Sequence, residues 1–311
     1  MHVFGLPSPV PFVLATDDSV LPLAEPWIPR SATRLDDDEA DADIRVRRTD
    51  ARPALASRVE GPRLLQLGAV RAFRLVDGNI ELEGASAARG FLDFAARRGV
   101  IDVAPEATAA ADDVYCMLTI AAAMLLGLNG MALVHAGAVV DREGGAWLVV
   151  GDSHSGKTST CTALCDAGWS YLADDQVVLA LGFGESVTVT GWPRRAHLDV
   201  GWSERVVRGE REAVDLVDRW AQPSVGSAPL AGVLLPRVRA DEPTHARVVS
   251  PADVLTELIR QSPWLVADAI VAGRTLPLLE RASRRQALAL SLGVDSYTRG
   301  DVIEARFLEA L

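Results

Sequence analysis

The chain of 311 residues is 49% hydrophobic, so it holds enough apolar material for one large domain or two modest ones. Its formal net charge of −11 and its scattered arginines argue against nucleic acid as a partner, because binding a phosphate backbone needs clustered Lys and Arg. Three cysteines are too few, and odd in number, for a secreted disulfide scaffold. The composition favours a soluble, cytoplasmic protein.

The first hundred residues show different sequence patterns in different segments. Residues 1 to about 60 are Pro-rich and show no firm periodicity, so they are expected to be irregular, and the acidic cluster Asp36–Glu39 is expected to be a solvated loop or linker. Between Arg63 and Glu83, short apolar runs are split by the turn signal Asp77-Gly78-Asn79, which predicts strands joined by a hairpin. Apolar residues on one face at helical spacing predict a helix over Ser86–Arg98.

The stretch Cys116–Val134 is almost wholly apolar and close to the length that crosses a bilayer. It is interrupted at Gly127-Leu-Asn-Gly130, and His135 follows directly. A buried helix over 112–128, followed by a buried strand, explains this pattern better than a membrane span.

The remainder is predicted to alternate strands and helices. We expect strands at 132–140, 146–150, within 169–181, and at 187–190, 230–235 and 246–249, with a tight turn at 141–145 that joins the first two as a hairpin. Helices are expected at 157–167, 214–220, 251–261 and 280–292. The pattern predicts a small α+β region over 1–112 and a larger α/β domain with a mixed sheet over 113–311.

One stretch matches a phosphate-binding motif in full. Gly151-Asp-Ser-His-Ser-Gly156-Lys157-Thr158 fits G-x-x-x-x-G-K-[ST] and lies between an apolar strand and a predicted helix. Loop amides and a helix N-terminus surround an anion, Lys157 would contact the β- and γ-phosphates, and the Thr158 hydroxyl would bind Mg²⁺. We therefore predict that ATP and Mg²⁺ are the cofactors, with the nucleotide held by Gly151, Asp152, Ser153, His154, Ser155, Gly156, Lys157, Thr158 and Ser159.

Two adjacent carboxylates follow one predicted helix later. Asp174 and Asp175 lie within or at the end of a β segment, so their side chains are expected to face different partners. In a phosphotransferase one carboxylate helps to hold Mg²⁺ and a second accepts the proton of the attacking hydroxyl, and mutual repulsion raises the pKa of one of them. His135 precedes the loop strand, so a hairpin would carry it next to the phosphates.

Taken in order, the segments Val134–Val139, Gly151–Thr158 and Leu172–Asp175 resemble the catalytic domain of bacterial HPr kinase/phosphorylase, and more closely its HPr kinase-like relatives. That family shares a phosphate-site architecture with phosphoenolpyruvate carboxykinases. The resemblance covers about residues 130–300 and implies a P-loop kinase core of this type. It also implies roles for the matching residues: Lys157 holds the phosphates, Thr158 and Asp174 place Mg²⁺, Asp175 activates the acceptor hydroxyl, and His135 lies at the γ-phosphate.

The resemblance implies an ATP- and Mg²⁺-dependent kinase that phosphorylates a Ser/Thr-type hydroxyl on a peptide, a protein or a small molecule, as in the tailoring of peptide natural products. Residues 1–112 would then recognise the acceptor, and relatives of this kind often self-associate. Arg194 or Arg195 would stabilise the transferring charge, although an exposed pair of arginines is the default expectation. Two alternatives stay open: a phosphorylase or phosphatase that runs the transfer in reverse, and a regulatory module that binds ATP without catalysis.

Overall fold

The structure, a computed structural model, divides into two compact units. Unit 1 comprises Met1–Met131 and Pro263–Thr275, and unit 2 comprises Ala132–Ser262 and Leu276–Leu311. Most of the predicted acidic cluster lies outside the described residues, which are 1–36, 41–50, 62–85, 87–105, 110–182, 184, 186–199, 211–217, 219–220, 224–239, 241–296 and 299–310.

Unit 1 is built on a nine-stranded mixed sheet. Its strands, in chain order, are β1 His2–Gly5, β2 Val13–Thr16, β3 Thr33–Leu35, β4 Ile44–Arg48, β5 Arg63–Leu67, β6 Val70–Arg74, β7 Ile80–Glu83, β8 Ala88–Asp93 and β9 Arg98–Val103. In space they run β3-β1-β2-β4-β9-β8-β7-β6-β5, with β4 parallel to β2 and β9. The helices α1 Leu21–Ala24 and α2 Ala111–Gly127 lie in the same unit.

The core of unit 1 lies between the sheet and α2. Buried residues alternate along β9, where Ile101 and Val103 face inward, as expected for a strand with one covered face. The helix α2 is buried over most of its length from Val114 to Gly127, which explains its nearly continuous apolar sequence. The predicted buried helix is confirmed, and no helix in the described part of the chain is long and apolar enough to cross a membrane.

Two predictions for this unit are wrong. The described residues of the stretch up to about residue 60 are not irregular, since they include β1 to β4. These strands have three to five residues, too few for an alternating pattern to stand out. The predicted helix over Ser86–Arg98 is instead β8 and the start of β9, and Ser86 itself lies outside the described residues. Burial of Ala88, Gly90 and Leu92 follows the period of two of a strand that pairs on both sides.

The hairpin predicted around Asp77-Gly78-Asn79 is confirmed as the turn between the antiparallel strands β6 and β7. The Asp77 carboxylate accepts the backbone N–H of Asn79 at 3.0 Å, and Gly78 takes a φ of 86°. A glycine at this position permits the tight turn.

Unit 2 contains a second nine-stranded mixed sheet and a two-stranded one. The strands of the large sheet are β10 Ala132–Val134, β11 Gly137–Val140, β12 Ala146–Val149, β13 Ser170–Ala173, β14 Val177–Leu181, β15 Val187–Gly191, β18 Ser227–Val238, β19 His245–Val248 and β20 Gln286–Leu292. The small sheet pairs β16 Ala196–Asp199 with β17 Arg211–Val214. The helices are α3 Lys157–Asp166, α4 Pro251–Gln261, α5 Ala269–Ser283, which begins in unit 1, and α6 Gly300–Ala310.

The register of the large sheet brings several chain segments to one edge. β12 lies between β11, which is antiparallel to it, and β18, which is parallel. Gly137 at the start of β11 pairs with Val149 at the end of β12, and Ala138 pairs with Ala173 at the end of β13. The residues just before β11, just after β12 and just after β13 therefore meet at the same edge of the sheet.

The strand predicted over 132–140 is divided in two. β10 pairs with β14, whereas β11 pairs with β12 and β13, and the chain changes partner at His135-Ala136. All the β10 and β11 residues are buried, so the sequence shows one unbroken apolar run where the structure has two strands. The hairpin of β11 and β12, and the helix α3, are confirmed.

Two predicted helices in unit 2 are wrong. Of the helix expected at 280–292, only the start is helical, because α5 ends at Ser283 and Gln286–Leu292 forms β20. This segment fills the place between β18 and β19 and supplies backbone bonds to both. No helix forms in the described residues of 214–220, where the Asp215 carboxylate accepts the N–H of Val217, a local bond that competes with a helical turn. The helix α4 and the strands β15, β18 and β19 agree with prediction.

Candidate functional site

The predicted phosphate loop connects the end of β12 to the first residue of α3. Gly156 precedes α3 with a φ of 101°, and a Cβ at this position would lie 2.7 Å from Cδ1 of Leu292, so a side chain has neither the backbone conformation nor the space. His154 takes a φ of 63°, which is uncommon outside glycine. No side chain of the described residues caps α3 at Gly156, so the amides of the first helical turn, which point out of the helix start, are left to bind an anion.

Lys157 lies over this loop. Its Nζ donates to the carbonyl oxygens of Gly151 at 2.8 Å and Asp152 at 3.1 Å. Burial lowers the pKa of Lys157, while the charges of Asp175 and Asp174 act in the opposite direction. It is also the only lysine in the chain, which contains 30 arginines among its 31 basic residues.

Asp174 is a buried carboxylate beside the first turn of α3. The Thr158 hydroxyl donates to its Oδ2 at 3.3 Å, and Oδ1 accepts no hydrogen bond from any described residue. Burial raises the pKa of Asp174 to about 6, and the negative charge of Asp175 adds to that rise. The expected rise in one pKa of the pair therefore falls on Asp174, with burial as the larger cause.

These oxygens fit a magnesium ion. Mg²⁺ is bound in proteins by one or two carboxylate or hydroxyl oxygens together with water and substrate phosphates. Thr158 and Asp174 supply two such oxygens side by side, and Asp174 retains an oxygen free to coordinate. In the described part of the chain, no group of three or more His, Cys, Asp or Glu side chains could hold a metal ion.

Asp175 faces away from these contacts, as predicted for neighbouring residues of a β segment. Its Oδ1 lies 3.0 Å from Nε2 of His135, and its Oδ2 accepts from Arg194 at 2.5 Å. The Asp175 side chain is 39% exposed, so it can still be reached from solvent. The backbone N–H of His135 donates to the buried Ser262 hydroxyl at 3.0 Å, which fixes the chain at the change of strand.

Arg194 was expected at the surface, and that expectation is wrong. Its side chain is 5% exposed, whereas its neighbour Arg195 is exposed. The backbone N–H of the buried Trp192 donates to the backbone carbonyl of Gln176 at 3.0 Å. This bond holds the segment after β15 against the turn that follows Asp175. A buried arginine is stable only with a partner, and Asp175 is that partner.

Sequence reasoning missed the contribution of α4. Gln261 Nε2 donates to Oδ1 of Asp152 at 2.8 Å, and Arg260 pairs with Oδ2 of the same residue at 3.0 Å. Gln261 also donates to Glu257 at 2.9 Å. Gln261 and Asp152 are 109 positions apart, so no local pattern could have indicated that α4 holds the loop.

The structure brings the predicted site residues together at one edge of the unit 2 sheet. The nucleotide-binding candidates from Gly151 to Ser159 form the loop and the first turn of α3, and Lys157 interacts electrostatically with both aspartates. His135 reaches the same place through its contact with Asp175. The roles of these residues in binding and catalysis stay predictions.

Comparison with known proteins adds little to this geometry. No protein-family model matches the chain, and no curated protein sequence matches it. Among solved structures, the Hpr(Ser) kinase/phosphatase from Coxiella burnetii is similar over 57% of this chain and 97% of its own, with 11% identity and a TM-score of 0.32. A likeness at this level is too weak to support an inference about fold or function.

Proposed function

We propose that the chain is a Mg²⁺- and ATP-dependent kinase that transfers the γ-phosphoryl group to an acceptor hydroxyl. One observation supports this most directly. Thr158 and Asp174 are in contact beside the loop, and the neighbouring Asp175 carboxylate is held by His135 and Arg194. A protein that only binds a nucleotide needs the loop, but it does not need a second carboxylate with two cationic or hydrogen-bonding partners.

The loop and α3 bind the triphosphate in this proposal. Backbone amides of 151–158 contact the phosphate oxygens, and Lys157 moves its ammonium group from the loop carbonyls to the β- and γ-phosphates. Thr158 and Asp174 hold Mg²⁺, which neutralises charge on the phosphates when bound.

Asp175 acts on the acceptor. Its exposed carboxylate receives the proton of the acceptor hydroxyl as the new O–P bond forms and the bond between the γ-phosphorus and the bridging oxygen breaks. His135 and Arg194 orient this carboxylate, and Arg194 adds positive charge near the transferring group. The acceptor is a hydroxyl of Ser/Thr type on a peptide, a protein or a small molecule, with residues 1–112 as its recognition region.

Transfer of radiolabel from γ-labelled ATP to a panel of hydroxyl-bearing peptides and small molecules tests the proposal. We expect Mg²⁺-dependent labelling that Lys157→Ala abolishes and that Asp175→Asn lowers by about 10²-fold or more, the contribution of a general base. The control is Glu143→Gln, which removes an exposed carboxylate from the turn between β11 and β12 and should leave labelling unchanged.

The same experiment separates the alternatives. Tight binding of ATP with no transfer to any acceptor, together with normal binding by Asp175→Asn, would contradict the kinase proposal and favour a regulatory module. Phosphate-dependent release of label from a phosphorylated acceptor, without forward transfer, would favour the reverse reaction.

A further inference from the structure

The edge of the unit 2 sheet that carries the loop also carries the ends of two more parallel strands. β12, β18 and β20 are parallel neighbours, with Val149 level with Leu234 and Leu234 level with Leu288. β18 continues four residues past Leu234 to Val238, about 13 Å at the rise of a strand. The loop therefore leaves β12 beside the projecting ends of β18 and β20, and ligands of open α/β sheets bind at such carboxyl ends.

The two sides of β12 differ in chemistry. β11 and then β13 lie on one side, and they lead to His135, Asp174 and Asp175. β18 and β20 lie on the other side. If the proposed function holds, the γ-phosphate points to the side of the two aspartates, which leaves the opposite side, over Gly156 toward β18 and β20, for the nucleoside end of the ligand.

Two exposed valines lie at this second side. Val238, the last residue of β18, is 57% exposed, and Val294, two residues beyond β20, is 72% exposed. Val238 Cγ2 lies 3.4 Å from the position that a Cβ on Gly156 would occupy, which places this side chain directly against the loop. The N–H of Arg239 donates to the carbonyl of Leu292 at 2.9 Å, so the ends of the two strands are fixed to each other.

We propose that Val238 and Val294 form the platform on which the base of the bound nucleotide packs. The flat face of a nucleobase is weakly hydrated, and small-molecule sites are lined mainly by apolar side chains. The inference rests on the proposed function for the direction of the triphosphate. It adds a subsite that contacts the base and does not contact the phosphates.

Comparison of two ligands isolates this subsite. Calorimetric titration measures the affinity of the full chain for Mg²⁺-ATP and for Mg²⁺-tripolyphosphate, which has the phosphates without the nucleoside. We expect Val238→Asn to weaken ATP binding about 3- to 10-fold and to change tripolyphosphate binding by less than about 2-fold, because only contact area with the base is lost. Val294→Asn should act in the same direction.

The matched control is Val248→Asn. Val248 is 65% exposed on β19, and β18 and β20 separate this strand from β12. At about 4.8 Å per strand, Val248 lies about 14 Å across the sheet from the strand that leads into the loop. This variant should leave both affinities unchanged. Circular dichroism spectra that match those of the wild type show that each variant is folded.

Each outcome decides one of the two ideas. Unchanged ATP affinity in both platform variants, or an equal loss for both ligands, would overturn the platform. Wild-type protein that binds ATP no more tightly than tripolyphosphate would also overturn it, while the phosphate site would stand. Wild-type protein that binds neither ligand would refute the proposed function, and the platform with it.

Discussion

Replacement of Asp174 by asparagine should stabilise the protein in the absence of metal and nucleotide. Asp174 is buried, and its pKa is raised to about 6 from an ordinary value of 3.8, first by burial and then by Asp175. The folded state therefore holds the proton of this carboxyl more tightly than the unfolded state does. As the pH rises from about 4 to about 6, the wild-type protein loses stability from this group, and above about 6 the loss is complete.

The size of the effect follows from the shift. A rise of about 2 pKa units corresponds to about 3 kcal/mol, at about 1.4 kcal/mol per unit. Asparagine occupies a similar volume without a charge, so Asp174→Asn should exceed the wild type in free energy of unfolding by up to about 3 kcal/mol at pH 8. Near pH 4 the carboxyl is largely neutral in the folded protein, and the difference should become small.

Urea denaturation between pH 4 and pH 8, in buffer with EDTA, measures this difference. Glu143→Gln is the control, because it removes an exposed carboxylate and should give a nearly constant difference over the same range. Added Mg²⁺-ATP should then stabilise the wild type more than Asp174→Asn, since the variant lacks the predicted metal ligand. A stability difference for Asp174→Asn that does not change with pH would refute the assignment of a charged, desolvated carboxylate.

Three further outcomes can be measured. Gly156→Ala combines a φ of 101° with a Cβ that meets Leu292, so it should lower the free energy of unfolding by about 1–3 kcal/mol and abolish most triphosphate binding. Gly144→Ala, with a φ of 87° and open space around the Cβ, should be destabilised less and bind normally. Equal losses for the two variants in urea denaturation and binding titrations would contradict this expectation. Gln261→Leu removes a hydrogen bond to the loop, so the KM for ATP should rise about 5-fold with little change in kcat. An unchanged KM would show that α4 does not position the loop. The pH dependence of Lys157 acetylation, followed by mass spectrometry, should give a pKa for this amine below the ordinary 10.5. Mg²⁺-ATP should slow the acetylation. A pKa at or above 10.5 would show that burial does not control the pKa of this amine.

The sequence alone determined the features whose cause is local. The loop at 151–158 was identified because its glycines, Lys157 and Thr158 are adjacent in the chain, between an apolar strand and a helix that begins at the expected residue. The helix α2 and the turn at Asp77-Gly78-Asn79 were predicted for the same reason. Each depends on backbone conformations and periodicities that a short segment sets by itself.

Prediction failed where an apolar pattern fits two periods. Residues 286–292 show apolar side chains at spacings that suit both a helix and a strand, and the neighbouring strands β18 and β19 decided the outcome by offering backbone partners on both sides. The same competition turned the predicted helix over Ser86–Arg98 into β8 and β9.

In the candidate site, too, local sequence indicated some features, and partners distant along the chain decided the others. Asp174 and Asp175 could be recognised in the sequence, but the partners that distinguish them could not. His135 and Arg194 reach Asp175 only because the registers of β11, β13 and β15 bring distant segments to one edge of a sheet, and Gln261 reaches the loop only because α4 packs there. Hydrogen bonds and charges act over a few ångströms in space whatever the separation along the chain, so these contacts were decided by the tertiary structure.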